Sequence, residues 1–411
     1  MATASRTFSL TVNAAGGGGT LPGSNQVVLV GSNSQVSIMP SGFFTAQWVE
    51  VLNGDFGAGV FVPGYGTKGA YVVTGVSGDA SPLVFDAVVF DFNTNVWTLV
   101  PNANGIANSP VKGPVSNTTG SPYYEMIGFP GVPNPAQPYR LTCGVGTKVI
   151  RAIGSAATST PLTVSYSHQF DTATRLWSRL STNAITPNQS NFSIESCALY
   201  DATANRIWFL DNEMAYINRL PYLDLADNTW KSSASFSAPT GGPINANWPH
   251  FILHDDGTRR CILAFKCPLY ESVTYPNYAC VLDLNNISAG FVPVTLSGPL
   301  TQFNGQPYGV GGLYTQAQTV KWAQYLSAYG GDNCHYTTDG NSGLITKIAP
   351  PASGITGTWT ASTFTPTSGA LPAMQRGSGT CAHYSRFMFV PALQCFAWVA
   401  GGTAQVALWK P

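Results

Sequence analysis

Five histidines, His168, His250, His254, His335 and His383, are the first residues to test for metal or acid–base chemistry. His250 and His254 have the i, i+4 spacing that suits a helix, but they flank Phe251-Ile252-Leu253, a strand-forming run. Four strand residues span about 13 Å, too far for both rings to bind one ion directly. A metal site would need histidines converging from distant parts of the chain, so these read as surface or hydrogen-bonded imidazoles. Glycoside hydrolysis needs facing carboxylates, and acids are scarce, nineteen in 411 residues. Asp255-Asp256-Gly257 is a turn sequence, and Asp211, Asp332 and Asp339 are isolated. Gly16 to Gly19 lacks the lysine and the strand–helix context of a phosphate loop and reads as a hinge. Nothing resembles a nucleophile elbow. Nineteen bases balance the acids without a basic patch, which excludes nucleic acid as a partner. No catalytic residue, cofactor-binding residue or metal ligand is assigned, and no cofactor is expected.

Eight cysteines are an even count, as a disulfide framework would need. Cys197, Cys261, Cys280, Cys381 and Cys395 instead lie among apolar or small residues in predicted strands, and no CxxC pair occurs. Buried thiols are expected, with Cys381–Cys395, on two strands of one predicted hairpin, as the pair to check first.

The elements that must position these residues announce themselves by repetition. Val89-Phe90-Asp91-Phe92-Asn93-Thr94-Asn95-Val96-Trp97 returns as Gln169-Phe170-Asp171-Thr172-Ala173-Thr174-Arg175-Leu176-Trp177 and as Tyr222-Leu223-Asp224-Leu225-Ala226-Asp227-Asn228-Thr229-Trp230. A degenerate fourth copy is Val281-Leu282-Asp283-Leu284-Asn285, with Phe291 in the tryptophan place. Each is a strand, an aspartate-led turn and a second strand. The aspartates are expected to accept backbone N–H bonds at the turn. Trp97, Trp177, Trp230 and Trp359 are expected to pack between repeats. Such repetition means one supersecondary unit copied around an axis, and the 43 glycines, 29 prolines and 12% aromatic content supply turns and packing bulk.

Hairpins group into blades at about 56–100, 122–180, 194–232, 247–295 and 306–361. A sixth has three strands, around Phe387, Phe396 and Trp409, before Pro411. Its fourth strand is expected from Phe43 to Val51, so that Trp48 and Trp409 belong to the pairing of the chain's two ends that closes the ring and covers two sheet edges. The predicted fold is therefore all-β: a β-propeller of six four-stranded blades, or seven given the length of 122–180 and 306–361, over residues 38–411. Residues 1–37 are set apart as an N-terminal extended arm or β-ribbon. There Phe8, Leu10 and Val12 alternate, the glycine run follows, and Val27-Val28-Leu29-Val30 forms a second apolar run. The arm either packs on the propeller or docks on a neighbouring subunit by adding strands, and its deletion should leave a folded monomer.

The Asp-turn-Trp phrase with its preceding hydrophobic hairpin resembles the kelch or galactose-oxidase-type β-propeller, across about 40–411. The glycine pair that ends the second kelch strand is mostly missing; Gly311-Gly312, Gly330-Gly331 and Gly401-Gly402 are the nearest equivalents. The resemblance implies a propeller. For its oxidases it also implies copper held by two tyrosines and two histidines, one tyrosine cross-linked to cysteine, a set that no motif here matches.

Charged residues are only 9% of the chain, against about 25% in ordinary soluble domains. No run approaches the ~18 apolar residues of a membrane helix, so membrane insertion is not expected. Met1 to Val12 alternates polar and apolar residues without a signal-peptide core, implying synthesis in a host cytoplasm. With no catalytic set and an arm suited to assembly, the reading is a non-enzymatic virion protein of a bacteriophage. It would decorate a head or tail, sit among other virion subunits, and engage a host-surface glycan or protein. A free carbohydrate- or protein-binding kelch-like propeller is the alternative; a galactose-oxidase-like or glycosidase enzyme is a third.

Overall fold

The computed structural model describes residues 21–39, 59–77, 83–108, 125, 128–129, 131–133, 141–152, 166–185, 197–210, 218–236, 250–266, 278–298, 327–329, 332–338, 343–373, 386–401 and 403–411. Within them the strands form consecutive four-stranded antiparallel units of a β-propeller. The first unit holds Val60–Val62, Ala70–Val73, Ala87–Asp91 and Val96–Val100, hydrogen-bonded in that order. The second runs from Thr142–Val145 to Leu176–Arg179, and the third from Cys197–Asp201 to Thr229–Ser232. The fourth runs from His250–Asp255 to Phe291–Ser297, and the fifth from Ser327–Tyr329 to Thr358–Phe364. Phe387–Val390, Cys395–Val399 and Val406–Lys410 belong to the sixth.

First strands of successive units pack side by side: Val60–Val62 against Thr142–Val145, that strand against Cys197–Asp201, and Cys197–Asp201 against His250–Asp255. Gly144 permits the first of these approaches, because a Cβ there would collide with the Phe61 carbonyl. Apolar residues fill the space between sheets, as in the cluster of Val62, Val89, Val149, Phe170 and Trp177.

The closing strand differs from the expected one. Gln26–Val30, not Phe43 to Val51, pairs antiparallel with Val406–Lys410, with Val27 opposite Trp409 and Val30 opposite Val406. It occupies the outermost place of the sixth unit. Half of the segment set apart as an arm is thus part of the propeller, and the boundary at residue 37 is corrected. Trp409 lies in this pair, fully buried against Phe396 and Tyr336. Trp48 and the Phe43 to Val51 run lie outside the described residues.

The repeated turn has one construction. Oδ1 of Asp91, Asp171, Asp224 and Asp283 accepts the backbone N–H two residues on, at 2.7, 2.9, 3.0 and 2.8 Å. Four residues after the first three of these aspartates the chain turns left-handed, at Asn95, Arg175 and Asn228. Asparagine tolerates that conformation because its short amide bonds locally; Arg175 is the copy that breaks the pattern. Asp201 leads a related turn between the first two strands of the third unit, with left-handed Asn205 but with the N–H three residues on, that of Ala204, bonded to Oδ1 at 3.0 Å, and there Trp208 Nε1 donates to Asp201 Oδ2 at 3.1 Å.

Outermost strands run head to tail around the rim, and asparagines key them together. Asn33, just past Gln26–Val30, accepts the Trp97 backbone N–H at 2.8 Å and donates its amide to the Trp97 carbonyl at 2.8 Å. Asn104 brackets Trp177 at 2.7 and 3.1 Å, and Asn183 brackets Trp230 at 2.7 and 3.0 Å. Beyond these three junctions the chain uses other means. Phe236 packs edge-on against Phe291 at 6.0 Å, and Thr295–Ser297 pairs in parallel with Thr358–Thr360. Val27 donates its backbone N–H to the Ser368 carbonyl at 2.9 Å. Asn104→Ala strands two backbone groups of Trp177 and should cost about 2–3 kcal/mol in denaturant titration. A loss within error would show that the bracket contributes nothing.

Candidate functional site

Two side-chain clusters bring together residue types capable of chemistry. In the second unit, strand His168–Asp171 aims His168 at Glu125, which approaches through a bridge to Pro133. His168 Nε2 lies 3.1 Å from Glu125 Oε1, and Arg179 donates to both carboxylate oxygens at 2.6 and 2.8 Å. Arg179 also covers the Tyr166 ring. His168 is wholly buried and Glu125 nearly so. Burial pushes the Glu125 carboxyl up, but the bonds from His168 and Arg179 outweigh it and bring the group down to about 2. Burial holds the His168 imidazole below its ordinary value, against the Glu125 bond and with help from Arg151 and Arg179. The buried imidazole and the guanidinium thus hold one carboxylate between them and tie three segments of the second unit together.

The second cluster joins the fourth and fifth units. His254, on the fourth unit's first strand, and His335, on the fifth unit's second, meet with Nδ1 and Nε2 3.0 Å apart. Trp359 stands edge-on to His254 at 5.4 Å. His254 Nε2 lies 3.5 Å from Asp256, whose carboxylate is held by Arg259. Burial lowers the His254 value, opposed by Asp256. Two histidines 81 residues apart therefore converge, while His250 sits at the far end of the His254 strand. Among the described residues no group of three or more His, Cys, Asp or Glu could hold a metal; His383 lies outside them.

The sign of the pH dependence follows from these burials. Folded His168 and His254 resist protonation, so below about 6.5 the unfolded chain takes up protons that the native state refuses. Their contribution is complete above that value and is lost as pH falls. Glu125 adds a second loss between its ordinary range and about 2. The urea midpoint should fall steadily from pH 7.5 to pH 5, and His168→Gln should flatten that fall. A midpoint that rises on acidification would contradict the buried-imidazole geometry.

Remaining charges cluster at the short turns and are largely paired there. Arg260 binds Asp201 at 2.8 Å and Asp255 at 3.1 Å. Lys231 binds Asp224 and Asp227 at 2.8 and 2.7 Å, and Lys347 binds Asp332 at 2.7 Å. The carboxylate pair Asp201 and Asp255 thus shares a guanidinium. Of the cysteines, Cys143, Cys261, Cys280, Cys334 and Cys395 are buried thiols, and burial pushes Cys261 and Cys280 up to about 12. Cys381 lies outside the described residues, as do the arm residues Phe8, Leu10 and Val12.

Connectivity sorts the propeller into two faces. Turns between first and second strands, and between third and fourth, lie on one: residues 63–69, 92–95, 146–147, 172–175, 202–205, 225–228 and 256–259 among them. All are short. Among the described residues, second strands end and third strands begin on the opposite face, as do the strand ends that flank 101–141, 180–196, 233–249, 298–326 and 365–386.

No family model matches the chain, and no curated protein does. Solved structures of similar outline exist. A GH43 protein, BlXynB, from Bacillus licheniformis aligns at 10% identity and a TM-score of 0.31, over 61% of this chain and 44% of that one. A putative 6-phosphogluconolactonase from Bacteroides fragilis aligns at 10% identity and a TM-score of 0.38, over 76% and 84%. The chain thus spans less than half the length of the first. At these identities and scores, nothing about activity passes from either protein to this one. No described helix is long and apolar enough to cross a membrane.

Proposed function

We propose that this propeller is a non-enzymatic structural protein of a virion, that of a bacteriophage, attached to its particle through residues 1–20. The observation that carries the reading is the placement of Gln26–Val30. That strand is locked into the sixth unit, and in the sequence the alternating Phe8, Leu10 and Val12 and the glycine run after them come before it. Such a segment suits strand addition to a neighbour. The sparse, balanced charge fits a lattice in which subunits need not repel one another. The buried histidine and carboxylate clusters tie packed strands together.

Removal of residues 1–20 should leave a folded monomer that no longer joins the particle. A truncated chain that incorporates normally would overturn the attachment. Recognition of a host-surface glycan or protein is the second reading, favoured by the length of sequence between strand ends such as Val100 and Thr142, since connections on a rigid scaffold often carry binding residues.

A further inference from the structure

We infer that His254 and His335 form an acid-sensitive latch: their hydrogen bond ties the fourth unit to the fifth, and proton uptake opens that seam while the rest of the ring stays closed. The latch belongs to the ring itself and does not depend on the virion reading. His254 and His335 are 2% and 0% exposed, and Nδ1 of the first faces Nε2 of the second at 3.0 Å. Whichever ring carries the bridging hydrogen, the other must present a bare nitrogen. One added proton fits, because the pair keeps its bridging hydrogen and His254 Nε2 lies 3.5 Å from the Asp256 carboxylate. A second does not. It sets two N–H donors and two cations against each other across 3.0 Å, away from water, where like charges repel most strongly.

The surroundings agree. Both carboxylates near His254 are already held by arginines, Asp256 by Arg259 and Asp255 by Arg260, and Cys261 stands opposite His254 in its ladder. From the fifth unit, Trp359 stands edge-on to His254, while Ala328 and Ile348 lie opposite His335. Cys334 and Tyr336 turn to the cluster shared with the sixth unit, and Tyr336 and Lys347 both bond Asp332. Burial lowers the His254 value against the pull of Asp256, as a neutral pair in the closed ring requires. Pairing of Thr295–Ser297 with Thr358–Thr360 at the rim keeps the two units side by side when the latch opens. Bridges elsewhere are of another kind: Arg260 binds Asp201 across the fourth and third units, and Arg151 binds the Gly75 carbonyl across the second and first. Histidine pairs of this sort act as switches where acid converts a bond into a repulsion.

The test is hydrogen exchange of the full chain, read by mass spectrometry between pH 7.5 and pH 5 with rates corrected for intrinsic exchange. The closed pair holds at most one proton, whereas two hydrated imidazoles take up two below about 6.5. Opening should therefore rise about tenfold per pH unit below that value. Peptides covering 251–254, 334–338 and 358–361 should lose protection in that ratio, while those covering Ala70–Val73 and Arg206–Leu210 keep theirs. His335→Gln leaves one imidazole facing an amide that can donate or accept, and should abolish the acid dependence at the seam. Unchanged exchange at the seam, or an equal loss in every unit, would overturn the latch. So would a folded His335→Gln protein that keeps the acid-driven loss. If that variant does not fold, the pattern in the intact sequence decides alone.

Discussion

Deletion of residues 1–37 is expected to abolish the cooperative melting transition, whereas deletion of 1–20 leaves the melting temperature unchanged. The longer cut removes Gln26–Val30, and with it the ladder to Val406–Lys410. Val27 and Val30 are buried, and each is worth about 1.5–3 kcal/mol. Asn33 leaves with them, which releases its bracket on Trp97. Loss of the strand also opens the edge of Val406–Lys410 and uncovers Trp409. These terms together match the net stability of a typical domain, about 5–15 kcal/mol. The shorter cut touches none of them. A 1–37 deletion that melts like the intact protein would mean that the ring closes elsewhere, for instance through the Phe43 to Val51 run.

Trp409→Ala should cost about 3–5 kcal/mol. The indole lies fully buried within 5.3 to 6.2 Å of Tyr336, Phe396, Phe364 and Phe387. It therefore binds together the fifth unit, the sixth and, through Nε1 to Asn25 Oδ1 at 3.2 Å, the closing segment. Truncation leaves a cavity where three parts of the chain meet, and no single side chain nearby can fill it. Trp409→Phe keeps most of the packing and loses the bond to Asn25, so it should cost well under half as much. Denaturant midpoints of the two variants give the comparison, and a loss below about 1 kcal/mol for the alanine variant would remove Trp409 from the closure.

The propeller was legible because its repeat is local. An aspartate, a turn and a tryptophan within seven residues dictate a hairpin whatever surrounds them, and the copies at Asp91, Asp171 and Asp224 stand on the hairpins they predict. Ring closure was not legible in the same way. Val27 meets Trp409 across almost the whole chain, and the tryptophan at residue 48 made Phe43 to Val51 look like the other outermost strands. A signal was nevertheless present. Val30, Val100 and Arg179 each end an outermost strand, and an asparagine follows at 33, 104 and 183. Read as a second repeat, that asparagine marks Gln26–Val30 as a rim strand. The Asp201 turn carries the same left-handed asparagine as its relatives, but it joins the first two strands of its unit instead of the last two. The convergence of His254 with His335, and of Glu125 with His168 and Arg179, depends on how units pack, which spacing along the chain does not encode.

The most direct measurement is the mass of the native assembly from its natural source, with co-purifying chains identified by mass spectrometry. Recovery in a large particle beside capsid or tail subunits is the result expected. Recovery as a free species of 43.5 kDa would contradict it.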